Sequence, residues 1–127
     1  MTTRAAPIVR AAVFSGAPST AWALLHGNDP LAAARAAGTL LPGRRDRPGL
    51  VAGLVVHAAV SVIWGVVIGR TCRTRWQGAL AGLAVAALDL GVVGRRYPAI
   101  RALPQGPQWA DHVAFGVMAS GASARRG

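Results

Sequence analysis

The sequence predicts an all-α fold: a four-helix transmembrane bundle made of two helical hairpins. Three observations predict it. Residues 50–69, LVAGLVVHAAVSVIWGVVIG, carry no formal charge over twenty positions. At a rise of about 1.5 Å per residue such a helix covers about 30 Å, the thickness of a hydrocarbon core. Further apolar stretches lie on both sides of it. Charge is scarce and segregated: 53% of residues are hydrophobic and only 14% charged, and all fourteen basic residues are Arg. These arginines sit between the apolar runs, where they meet lipid phosphates and hold topology.

The first span is expected over residues 8–26. It contains FSGAPST, and Pro18 cannot donate to the Phe14 carbonyl, so a kink is expected there. Ser15, Ser19 and Thr20 stand close enough to satisfy the freed carbonyl. The next stretch, GNDPLAAARAAGTLLPG, predicts a short interfacial helix between the first and second spans. Asn28 or Asp29 would cap it and Pro30 would take its first position. Leu31, Ala34, Ala37 and Leu41 share a face, and Pro42 and Gly43 would end it. The second span is residues 50–69. The third, 78–94, is interrupted only by Asp89. The fourth, 108–124, begins after Pro104 and Pro107, with Asp111 in its first turn, where a negative charge suits the helix dipole. Trp76 and Trp109 stand at span entrances, as interfacial anchors do. The whole chain, 1–127, reads as a single membrane domain.

An even number of spans puts both termini on one side. Arg4, Arg10, Arg70, Arg73, Arg75, Arg125 and Arg126 would face one side, and the other seven arginines the opposite one. The dense basic turn at 70–75 favours cytoplasmic termini. The abundance of Ala, Gly, Val and Arg, with no Lys or Glu, points to a GC-rich bacterial genome and so to the plasma membrane. The net charge of +10 does not make this a nucleic-acid binder, because the arginines are not gathered on one polar segment. Cys72 is the only cysteine and reads as a free structural thiol.

The second and fourth spans share a pattern. His57, Ser61, Gly65 and Gly69 recur every four residues in one; His112, Gly116, Ser120 and Ala124 do so in the other. Residues four apart share a helix face, so each span has a smooth stripe for close helix contact with an imidazole near one end. The third span has its own small pair, Gly78 and Gly82, followed on nearly the same face by Asp89. His57 lies about 10 Å into its span, His112 about 6 Å and Asp89 about 8 Å, all measured from the same membrane surface. His26 and Asp111 lie near that surface. A pseudo-two-fold along the membrane normal would bring His57 and His112 together.

An ionisable group inside a span needs a partner facing the bundle interior. One reading has Asp89 accept a hydrogen bond from a neutral histidine, or from Arg95 or Arg96, and so fix helix register. A second makes His57, Asp89 and His112 a protonatable relay. A third has the same residues bind a divalent metal, or the histidines bind haem. There is no HExxH or CxxCH motif, phosphate loop or nucleophile elbow.

FSGAPSTAWALLHGNDPLAAARAAGTLL and DLGVVGRRYPAIRALPQGPQWADHVAFG resemble a group of small, uncharacterised multi-pass membrane proteins of actinobacteria. The resemblance implies a four-span plasma-membrane protein and carries over no activity, cofactor or catalytic residue. The function expected from the sequence is therefore non-enzymatic. It is a membrane component acting through helix packing, alone in the bilayer, as a homo-oligomer or beside a larger membrane partner. Proton-linked transport and a metal- or haem-based redox role are the alternatives.

Overall fold

The computed structural model describes residues 5–121, and they are all-helical, with no strand among them. Seven α-helices follow in order: α1 Ala5–Phe14, α2 Ala17–Leu25, α3 Ala32–Ala37, α4 Leu50–Thr71, α5 Arg75–Leu88, α6 Pro98–Arg101 and α7 Gln105–Ala119. Three stretches are long and apolar enough to cross a membrane: Ala5–Leu25, Leu50–Thr71 and Arg75–Arg96. The fourth expected span corresponds to α7, which has 15 residues. Alone it is about 22 Å long. The end of that expected span, residues 122–124 with Ala124, lies outside the described residues, as do Arg4, Arg125 and Arg126.

The first span breaks at Ser15–Gly16, ahead of Pro18, which takes a place in the first turn of α2. This corrects the expected kink at Pro18 itself: a first-turn amide has no intrahelical acceptor, so proline is tolerated there without bending the helix. Nor does Ser19 serve the Phe14 carbonyl, because its hydroxyl and amide both go to Asp111.

The short helix after the first span is α3, continued by a 3₁₀ turn over Gly38–Leu40. It starts at Ala32, two residues later than Pro30. Asp29 Oδ1 accepts the Leu31 amide at 2.9 Å, and its carboxylate also pairs with Arg35. The helix docks on the start of α4 with backbones in contact. A Cβ on Gly53 would overlap the Ala34 carbonyl, and one on Gly38 would meet the Gly53 nitrogen at 2.9 Å. Gly43, at φ +77°, supplies the left-handed turn that releases the chain toward α4.

A capping box starts α5 at Arg75, three residues before the expected Gly78. The Thr74 hydroxyl accepts the Gln77 amide at 3.1 Å, and Gln77 Oε1 accepts the Thr74 amide at 3.2 Å. At the other end the helix does not stop at Asp89. It widens into a π segment, Asp89–Val93, and tightens into a 3₁₀ turn, Gly94–Arg96.

The best-packed pair is α5 with α7. A Cβ on Gly78 would meet the Ser120 Cβ at 2.9 Å and overlap the Gly116 carbonyl. One on Gly82 would meet the Val113 Cα at 2.9 Å, and one on Gly116 the Gly82 nitrogen at 2.8 Å. Small residues thus let two backbones touch, the packing that works where lipid removes the hydrophobic drive. α1 and α2 also pack on α7, and α1 packs on α4. One core cluster joins Ala11, Ile68, Cys72, Val85 and Ala119. A second joins Ala36, Ala86, Leu90 and Ile100, with Trp109 packed against it. Trp109, at an expected span entrance, is partly buried against this cluster. Trp76, at the start of α5, is 72% exposed.

Candidate functional site

The titratable side chains gather where α4 and α7 begin and the third apolar helix ends. Asp89 opens the π segment. A π turn widens the helix by one residue per hydrogen bond and is often found where a side chain has a task. The His112 ring lies between two acceptors. Its Nδ1 is 2.7 Å from the Gln108 carbonyl and its Nε2 is 3.4 Å from Asp89 Oδ2. The first contact is between residues four apart, the reach of a helical side chain back to the preceding turn. With Nδ1 protonated and donating to that carbonyl, a neutral ring leaves Nε2 as an acceptor, and a donating contact to Asp89 requires the second proton.

The neighbouring Asp111 pairs separately. Its Oδ1 accepts the Ser19 amide at 2.8 Å, and the Ser19 hydroxyl donates to its other oxygen. α7 was expected to begin near Gln108, with Asp111 in its first turn. It begins at Gln105, so Asp111 lies beyond the first turn and has no acidic companion there. Its partner is instead the frame of α2, which it ties to α7.

His57 goes elsewhere. Its Nε2 is 2.6 Å from the Ala12 carbonyl. Ala12 belongs to the last turn of α1, where carbonyls lose their intrahelical donors, and the Ser15–Gly16 break is what exposes it. A ring N–H donated by His57 satisfies that oxygen and pins α1 to α4. The structure thus brings Asp89 to His112 and places His57 on a different helix junction, with the Nε2 atoms of the two rings on different partners.

The stripe residues divide similarly. Ser61 is 4% exposed and Ser120 fully buried. Gly65 faces a side chain, since a Cβ there would meet Ile8 Cγ1 at 2.9 Å. Gly69 is exposed and looks toward the Ala119 carbonyl, 3.3 Å from where its Cβ would be. Gly78, Gly82 and Gly116 form the backbone seam described above. Neither Arg95 nor Arg96 pairs with Asp89; the Arg96 carbonyl accepts Arg45 Nε at 2.7 Å. Among the described residues no group of three or more His, Cys, Asp or Glu is placed to hold a metal ion. The metal and haem readings therefore rest on the sequence alone.

Ser19 and Asp111 were legible only as separate local features, a backbone-bonding serine and a helix-start acid. Nothing in the spacing joins positions 92 residues apart.

No protein-family model, no curated protein and no solved structure matches this chain.

Proposed function

We propose that the chain is a four-span integral protein of the bacterial plasma membrane, with both termini cytoplasmic, and that its role is non-enzymatic. It acts through helix packing, alone, as a homo-oligomer or beside a larger membrane partner. The observation that carries this reading is the outer face of α4. Val51 is 78% exposed, Ile63 60%, and Val55 and Val62 55% each. A continuous apolar surface of that kind needs lipid or another helix against it. The seam of α5 and α7 is closed within the chain, whereas α4, together with Val9, Val13 and Phe14 of α1 and Leu80 and Leu83 of α5, leaves apolar surface for lipid or a partner. Membrane fractionation tests the first half of the proposal. The protein is expected to stay in the membrane pellet through an alkaline wash and to leave it only with detergent. Recovery as a water-soluble monomer would contradict it.

One observation favours a second reading, a proton relay. Asp89–His112 and Asp111–Ser19 adjoin on consecutive residues of α7, and a carboxylate–imidazole contact can pass a proton. In liposomes this reading requires Asp89→Asn to abolish pH-driven flux while the helix content is unchanged. Undiminished flux in that variant, or none in the wild type, removes it.

A further inference from the structure

We propose that this protein binds a small uncharged amphiphile in the cleft between α2, α3 and the start of α7, with the ligand's hydroxyl or carboxamide paired to Gln108. The cleft holds about 520 Å³, within the range of small-molecule sites. Gln108 lines it and is 8% exposed, yet its side-chain amide has no hydrogen-bond partner among the described residues. A carboxamide brings two donors and an acceptor oxygen. The amide atoms are not sealed inside the protein, so an occupant of the cleft can reach them. An occupant that both donates and accepts would satisfy it.

The walls set the rest of the ligand's character. Trp22, Ala36 and Leu103 offer apolar surface. The charged groups at the cleft, Asp29 and Arg35, neutralise each other in an ion pair. A charged ligand would enter with no countercharge to meet it, so an uncharged one fits. Ser19 also lines the cleft; its hydroxyl proton is committed to Asp111, leaving its oxygen as an acceptor. The site therefore selects a polar end of hydroxyl or amide chemistry on an apolar body.

Binding of 2-naphthol and 2-naphthamide to the full chain in lipid nanodiscs tests this, with empty discs subtracted. A saturable component is expected for at least one probe. Gln108→Leu keeps the volume and removes the polar group, and should raise Kd about tenfold for that probe, as loss of a hydrogen bond does. Naphthalene should bind both forms equally. Ala33→Trp, which fills the cleft from the half-exposed face of α3, should remove binding altogether. Uptake by wild type that only follows lipid partitioning overturns the proposal, as does an unchanged Kd in Gln108→Leu. Should Gln108→Leu fail to fold, Ala33→Trp decides the same question, and unaltered binding there overturns it.

Discussion

α4 and α7 carry the same written pattern, a histidine followed by small residues every four positions, and the structure uses the two differently. In α7 the stripe meets glycine backbone: Gly116 lies against Gly78 and Gly82, and His112 reaches Asp89. In α4 it meets a side chain and a helix end: Gly65 lies against Ile8, and His57 reaches the Ala12 carbonyl. Spacing fixes which residues share a face; the opposing helix fixes what that face does. Two glycine-bearing helices can approach until carbonyls touch, whereas an isoleucine opposite a glycine fills the gap with a movable side chain.

This difference ranks the variants. Gly116→Leu should be the most damaging, because the atoms in its way are backbone on α5. A cost of at least about 3 kcal/mol is expected, at the upper end for overpacking. Loss of the folded form in SDS titration, read by circular dichroism, checks it. Gly65→Leu should cost less, about 1–2 kcal/mol, since the Ile8 side chain can give way. Ile8→Ala should recover much of that loss, and a double-mutant cycle would expose the coupling. His57→Ala removes one hydrogen bond and unpins α1, at about 1 kcal/mol, so it should harm assembly less than Gly65→Leu. Asp89→Asn should have the smallest effect on stability, under about 1 kcal/mol, because an amide oxygen can still face His112 across a 3.4 Å contact. If Gly116→Leu and Gly65→Leu proved equal, the contrast between backbone and side-chain contact would be lost.

Three helices with the capacity to cross a bilayer were readable from the chain, because that capacity is a matter of length and composition. The charge-free run at 50–69 needed no partner to be recognised, and small residues four apart announced faces for close approach. The failures share a cause. The Ser15–Gly16 break, the early start of α7 at Gln105 and the π segment at Asp89 are set by what the backbone packs against. Asp111 looked like a dipole partner because its true partner, Ser19, lies on another helix. Nothing local reveals that Trp109 also packs against the cluster of Ala86, Leu90 and Ile100.

The most direct test of the account is solid-state NMR of the glycine-labelled protein in bilayers. Cross-peaks joining Gly116 to Gly78 and Gly82 are expected, and they should survive dilution of labelled chains into unlabelled ones, because the seam lies within one molecule. Their absence, or their disappearance on dilution, would contradict the packing on which every other assignment here depends.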